Sequence, residues 1–362
     1  MTDRLRLVLL FGGRSSEHAI SCATAGGVLG AIDRDRYDVI PVGITREGAL
    51  VLESDDASRF ALDKEALPEV VDNGSRILWP DSTATKELRV VEDGVPRSLG
   101  DIDLVFPILH GPFGEDGTVQ GMLELIGLPY VGNGVLASSL GMDKHFTKTV
   151  LQAAGIEVAP WVTVTRMSWE RENERWRTQA DALGYPQFVK PARAGSSVGV
   201  SRVTDAAGLD EAIKTAFAED DKVLIERGMG GREVECAVLG GRDGGAPRVS
   251  TAGEIVITGR DFYDFEAKYL DADGIDLVCP AELHEWELAE MQRIAARAFE
   301  AIGGAGLARV DFFFTGDTFV VNEVNTMPGF TPISMFPKCW LASGLTYPEL
   351  IDDLIAQALQ NR

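Results

Sequence analysis

Arg309, Asp311, Glu323 and Asn325 stand in one apolar run, RVDFFFTGDTFVVNEVN, which reads as two short strands about a Gly-Asp turn. Residues two apart in a strand share a face. Arg309 and Asp311 therefore point one way, as do Glu323 and Asn325. With a three-residue loop, Gly316-Asp317-Thr318, Asp311 sits opposite Glu323 and all four side chains converge. Opposed carboxylates repel, and a divalent cation between them would remove the repulsion and find oxygen ligands. A two-residue Gly316-Asp317 turn would instead shift the register by one and send the carboxylates to opposite faces. The sequence is compatible with both registers. An edge hairpin with solvated acids fits poorly, because the neighbouring residues are too apolar.

Other stretches carry chemistry of a matching kind. Lys190 lies within FVKP, where a lysine in an apolar strand is costly unless it meets an anion or snorkels at an edge. ARAGSSVGVS follows it, a small-residue loop whose backbone N–H groups, with Ser196 and Ser197, could line a phosphate. Neither this loop nor Gly12-Gly13-Arg14-Ser15 matches GxxxxGK[ST] or GxGxxG. Lys144 and Lys268 also sit beside apolar or turn residues rather than in charge runs. Glu17 opens a helix after a strand end, where an acid suits the helix dipole and where ligands bind in open α/β sheets. His110 ends an apolar strand at LHGPFGEDG, and the four histidines show no zinc spacing. Ser196 has no Ser–His–Asp context. Asp261–Leu270, DFYDFEAKYL, mixes acids with aromatics as a lid over a ligand would.

The elements that must hold these residues follow from periodicity. Strands at Leu5–Phe11, Tyr37–Ile44 and Asp103–Leu109 alternate with helices at Glu17–Ile32 and Gly117–Ile126, a βα pattern with a parallel sheet. Residues 46–100 read as a surface excursion of strands and loops. A second group follows: a helix at Asp143–Ala154, a strand Trp161–Val164, a charged helix near 168–183, strands about Lys190, a helix 205–218 and the strand Lys222–Glu226. Strands near 233–240 and 249–257, a helix 284–302, the hairpin and two helices close the chain. With 362 residues, 45% hydrophobic and 25% charged, the chain has room for two or three domains. A net charge of −22 argues against nucleic-acid partners. No apolar run approaches a bilayer span. LRLVLLFGG reads as a buried strand rather than a leader, and four dispersed cysteines without a CxxC pair read as reduced thiols in a cytoplasmic protein.

In their order, FGGRSSEH, LHGPFGEDGTVQG, GLPYVGNG with MDK, VKPARAGSSVGVS, YDFEAKY, and RVDFF with VNEVNTMPGFTPIS closely resemble the D-alanine–D-alanine ligases of the ATP-grasp superfamily. The resemblance covers nearly the whole chain and is weakest across 46–100. It implies an α/β fold (α+β in the ATP-grasp part) of three domains, at 1–132, 133–225 and 226–362, with nucleotide between the second and third. It implies an enzyme that joins two D-alanines with ATP and two Mg2+ ions, replaceable by Mn2+, for peptidoglycan precursors, as a homodimer. By position, Lys144, Lys190 and Lys268 match lysines on the nucleotide phosphates, and Ser196-Ser197 the loop covering them. Glu226 and Glu233 match acids at the adenine edge and ribose, with Phe262 and Phe313 flanking the adenine. Asp311, Glu323 and Asn325 match metal ligands. Glu17, with His110 nearby, matches the group that holds the first substrate's ammonium, and Ser196 and Tyr269 match its hydrogen-bonding partners. Arg309 and Gly329 match the oxyanion site, and Ser334 the serine on the second substrate's carboxylate. Two departures stand out: Arg227-Gly228-Met229 lacks an aromatic beside the adenine, and Pro112-Phe113 replaces smaller residues. A ligase using D-lactate is an alternative that Tyr269 disfavours, and a non-catalytic ATP-binding regulator is disfavoured by the full set of ligands.

Overall fold

The computed structural model describes residues 4–63, 66–257 and 275–360. The first sheet has the order β3-β2-β1-β7, built from β1 (Leu5–Gly12), β2 (Tyr37–Ile44), β3 (Leu50–Leu52) and β7 (Leu104–Ile108). β1 pairs in parallel with β2 and β7, as the βα pattern requires, and β3 adds an antiparallel edge. Both faces of β1 are covered, which explains its unbroken apolar run. Leu7, Leu9 and Phe11 pack with α1 (His18–Ala31). Val8 and Leu10 pack with α2 (Thr118–Leu125) and with Ile77, Leu88 and Val90. Those last three belong to β4 (Arg76–Leu78) and β5 (Glu87–Glu92), which form an antiparallel sheet with β6 (Val95–Asp101). The 46–100 region is thus more than a surface excursion, since it closes one face of the first core.

The second sheet has the order β10-β9-β11-β8, from β8 (Trp161–Thr165), β9 (Gln187–Pro191), β10 (Ser201–Val203) and β11 (Lys222–Arg227). It packs on α5 (Arg166–Asp181) and α6 (Leu209–Glu219). β11 runs through the expected division at 225/226. The third sheet has the order β14-β13-β12-β15-β16, from β12 (Arg232–Leu239), β13 (Arg248–Ile257), β14 (Ile275–Val278), β15 (Leu307–Phe314) and β16 (Phe319–Asn325). Helices α3 (Val135–Met142), α4 (Lys144–Ala153) and α7 (Glu285–Ala301) cover one of its faces. Part of the other face meets α8 (Met335–Ala342) and α9 (Tyr347–Gln360), which extend the core of the first sheet. No described helix is long and apolar enough to cross a membrane.

The β15–β16 hairpin resolves its register by a route that combines both expectations. The tip is a two-residue turn: Phe314 pairs with Phe319, and the Thr315 N–H donates to the Thr318 carbonyl at 3.1 Å. Gly316, at φ +98°, takes the left-handed position that such turns demand. Asn322 is then an extra residue, because Phe312 pairs with Val321 while Asp311 pairs with Glu323. A bulge of this kind flips the side-chain alternation. Phe319 and Val321 face the α7 side, and past the bulge Val324 does so instead. Glu323 and Asn325 are thereby returned to the face that carries Arg309 and Asp311.

Candidate active site

Two adjoining cavities, of about 170 and 200 Å3, lie where the three large sheets meet. Lys144, Ser196, Glu235 and Glu323 line both. The first also holds Glu17, His110, Glu115, Arg309, Asn325, Gly329 and Ser334. Lys190, Ser197, Glu226, Glu233, Asp311 and Phe313 belong to the second, with Arg227 and Met229 where an aromatic was expected. Every predicted site residue that is described lines one of the two. Phe262, Lys268 and Tyr269, with the whole DFYDFEAKYL segment, lie outside the described residues.

On the hairpin face, Asp311 accepts two hydrogen bonds from the Arg309 guanidinium, both at 2.7 Å, and one from the Asn325 amide at 2.9 Å. Glu235, opposite Asp311 on β12, lies 3.0 Å from Arg309 Nε. Burial works against the Arg309 charge, but Asp311 and Glu235 outweigh it and hold the guanidinium firmly protonated. Lys144 Nζ stands 3.7 Å from Glu323. The repulsion between the opposed carboxylates is thus offset by two cations of the chain itself. No group of three His, Cys, Asp or Glu side chains able to hold a metal occurs among the described residues. The oxygen donors are two carboxylates and one amide, which suits an ion that completes its shell with phosphate and water rather than one that needs a protein cage.

β9 and β11 hold a second charge cluster. Glu226 is buried between Lys190, at 2.5 Å, and Lys148, at 2.9 Å. Burial opposes ionisation of Glu226, yet Lys148 and Lys190 prevail and keep its carboxyl below the usual range. The anion that Lys190 required as a strand residue is therefore Glu226. Lys144, first residue of α4, donates to the Ala194 carbonyl at 2.7 Å and so ties the 192–200 loop to β16. In that loop Ser196 and Ser197 have φ of +50° and +59°. Consecutive non-glycine residues rarely hold this conformation, and such strain gathers at functional sites.

Glu17, expected as the first residue of the helix, sits just ahead of α1 as its N-cap. Ser196 Oγ donates to it at 2.5 Å. The Ser15 hydroxyl donates to the His110 carbonyl at 2.6 Å and accepts from the Glu17 N–H at 3.2 Å, which locks the two predicted residues together. His110 Nδ1 lies 3.1 Å from the Met327 carbonyl, so that nitrogen carries the hydrogen. Its Nε2 is then an acceptor, buried and with no protein partner among the described residues. Burial lowers the His110 pKa and keeps the ring neutral. Glu115 accepts from the Gly111 N–H at 2.9 Å. Burial, reinforced by Glu17, pushes its carboxyl up to about 8.

At the far wall, the Ser334 hydroxyl pairs with that of Thr331 at 2.7 Å. Ser334 is the N-cap of α8, but its side chain caps no helix N–H. The helix start therefore keeps donors for an anion. A Cβ on Gly329 would lie 3.1 Å from Ser334 Oγ, so the backbone runs close to that hydroxyl.

Sequence reasoning overlooked Glu115, Glu235, Lys148, Ser15 and Thr331. Glu115 was visible as an acid within the His110 turn, and Glu235 as an acid two residues beyond Glu233 on an apolar strand. Lys148 sits on a helix face and offered no signal until Glu226 was placed beside it.

The chain matches the family models described as D-ala D-ala ligase N-terminus, over residues 6–133, and D-ala D-ala ligase C-terminus, over residues 150–356. The chain belongs to the D-alanine–D-alanine ligase family. A D-alanine–D-alanine ligase of Pseudarthrobacter chlorophenolicus is 53% identical over 99% of this chain and 94% of that protein. One from Streptomyces coelicolor is 51% identical over 98% and 93%. Among solved structures, the VanG D-Ala:D-Ser ligase of Enterococcus faecalis superposes with a TM-score of 0.85 at 34% identity, covering 98% of this chain and 100% of that one. The Coxiella burnetii D-alanine–D-alanine ligase gives 0.78 at 35%, covering 99% and 95%. The ATP-grasp ligase architecture accounts for the three large sheets and for cavities at their junction.

Proposed function

We propose that this chain is an ATP-dependent ligase that joins two D-alanines into D-alanyl-D-alanine through an acylphosphate, for peptidoglycan precursors. The observation that carries it is the sharing of Lys144, Ser196 and Glu323 by two cavities. A nucleotide in the second would present its terminal phosphate to a carboxylate in the first.

In this reading Glu17, held by Ser196, takes the ammonium of the first D-alanine, and His110 Nε2 accepts a further hydrogen. The first D-alanine's carboxylate attacks the γ-phosphorus, forming the acylphosphate O–P bond as the bond to the β–γ bridging oxygen breaks and ADP leaves, a transfer governed by positioning and charge neutralisation. Lys144, Lys190 and Lys268 hold phosphates, the Ser196-Ser197 loop covers them, and Glu226, Glu233, Phe262 and Phe313 receive the nucleoside. Asp311, Glu323 and Asn325 would ligate two Mg2+ ions, or Mn2+, which supply charge neutralisation at the phosphates. Ser334 and the start of α8 bind the second D-alanine's carboxylate; its amine attacks the acyl carbon, forming the C–N bond as the C–O bond to phosphate breaks and inorganic phosphate leaves with the amine proton. Arg309 and the Gly329 N–H stabilise the oxyanion, and Tyr269 would join Ser196 as a hydrogen-bonding partner of Glu17. We extend the proposal to a cytoplasmic homodimer with units near 1–132, 133–225 and 226–362.

The test is phosphate release with ATP and D-alanine, with the dipeptide identified by mass spectrometry. ATP binding without D-alanine-dependent turnover would refute the proposal. A D-lactate ester formed in preference to the dipeptide would redirect it.

A further inference from the structure

Two of the four cysteines, far apart in sequence, meet outside the reacting groups. Cys279 follows β14 and Cys339 lies in α8, and their sulfurs are 3.8 Å apart. Both are free thiols, Cys279 half-buried and Cys339 buried. Each is anchored in a wall of the first cavity: Leu277 of β14 lines it, as do Ser334 and Met335 at the start of α8. The contact between the walls is tight. A Cβ on Gly253 of β13 would fall 2.1 Å from Met335 Sδ, so α8 rests directly on the sheet backbone.

We propose that Cys279 and Cys339 form a peroxide-reactive dithiol whose disulfide draws β14 and α8 together and deforms the site of the second amino acid. Cys279 is the attacking sulfur, being the more exposed. Its hydrogen bond with the Cys339 thiol, stronger than the opposing effect of burial, lowers its pKa, and Lys338 adds to this. The Cys279 thiolate attacks hydrogen peroxide, forming S–O, breaking O–O and leaving hydroxide. Cys339 then attacks the sulfenic sulfur, forming S–S, and the hydroxyl departs as water with the thiol proton. The dithiol loses two electrons and peroxide becomes two waters. A disulfide needs sulfurs about 2.05 Å apart, so the 3.8 Å pair must close. Met335 seats the first turn of α8 on Gly253, so closure shifts β14, whose Leu277 lines the same cavity as Ser334. Cys22 and Cys236 serve as internal controls. Burial pushes the Cys22 thiol up to about 12 and raises Cys236 well above its usual range.

The test treats the folded full-length enzyme with hydrogen peroxide and maps its peptides. A cross-linked 279–339 peptide with two of the four thiols still titratable is expected. Cys339→Ser should stop at a dimedone-trappable sulfenic acid on Cys279, and Cys279→Ser should form no cross-link. Should Cys279 pass to sulfinic acid in the wild type without cross-linking, the dithiol is refuted. The effect on turnover rests on the ligase proposal, whereas the cross-link does not. Oxidation should raise the second D-alanine's KM about tenfold, a change of roughly 1.4 kcal/mol, reversibly with dithiothreitol and not in Cys279→Ser. An unchanged KM in the cross-linked enzyme would overturn the effect on the site.

Discussion

Ser196 Oγ donates to Glu17 Oε1 at 2.5 Å across 179 positions of sequence. One partner belongs to the start of α1, the other to the loop after β9. This single bond joins the wall of the amino-acid cavity to the loop over the phosphates. Close approach enforces it from the neighbouring position as well, since a Cβ on Gly195 would lie 2.9 Å from Glu17 Oε2.

Substitution at this joint should act on substrate affinity before it acts on stability. Ser196→Ala should raise the first D-alanine's KM about tenfold, the loss of one hydrogen bond to a charged group. Gly195→Ala should do at least as much, by pushing the loop off Glu17. Steady-state kinetics with urea melts would check both; a normal KM in Gly195→Ala would contradict the assigned contact.

Arg309→Ala should lower kcat by about 10²–10³-fold, the usual loss on removing one oxyanion donor. It also leaves Asp311 and Glu235 without their shared cation, so stability should fall too. Arg309→Lys should recover stability more than kcat, because lysine neutralises charge but lacks the bidentate fork. Near-wild-type kcat in folded Arg309→Ala would exclude the oxyanion role.

The Glu226 cluster is predicted to matter for stability. Glu226→Gln leaves Lys148 buried without its counter-ion, and breaking such a group typically costs about 3–5 kcal/mol. Equilibrium urea unfolding should report a loss of this order. Lys148→Met should cost less, because Lys190 still holds Glu226 at 2.5 Å.

Glu115 predicts a pH dependence in the ligand-free protein. Its carboxyl is raised from 4.5 to about 8, first by burial and then by Glu17. The folded state therefore binds more protons than the unfolded state between these values. The stabilisation is fully present below 4.5 and is lost as pH rises through about 8. Relative to Glu115→Gln, the wild type should melt at progressively lower temperature across that window. Parallel Tm profiles for the two proteins would contradict the assignment.

Much of the architecture was legible as pattern. The unbroken apolar run of β1 announced a strand covered on both faces, and Tyr37–Ile44 was read to the residue. The charged site was legible because acids, lysines and an arginine in apolar strands demand partners. Lys148 was not, because its significance lies wholly in Glu226, which reaches it from a strand 78 positions away. The 46–100 segment hid its role similarly. Ile77, Leu88 and Val90 have no visible purpose until β1 offers Val8 and Leu10 to cover.

The hairpin draws the boundary between the two kinds of information. Sequence by itself determined which residues could do chemistry there, their spacing of two along each strand, and a turn beginning at Gly316. Only the tertiary structure decided that Asp311 meets Glu323. A two-residue turn alone would have separated them, and the bulge at Asn322 restores the pairing. Its location follows from packing: Phe319 and Val321 before it, and Val324 after it, all bury against the α7 side. Alternation along a strand is a local property, but where it is interrupted depends on the core that each side chain must fill.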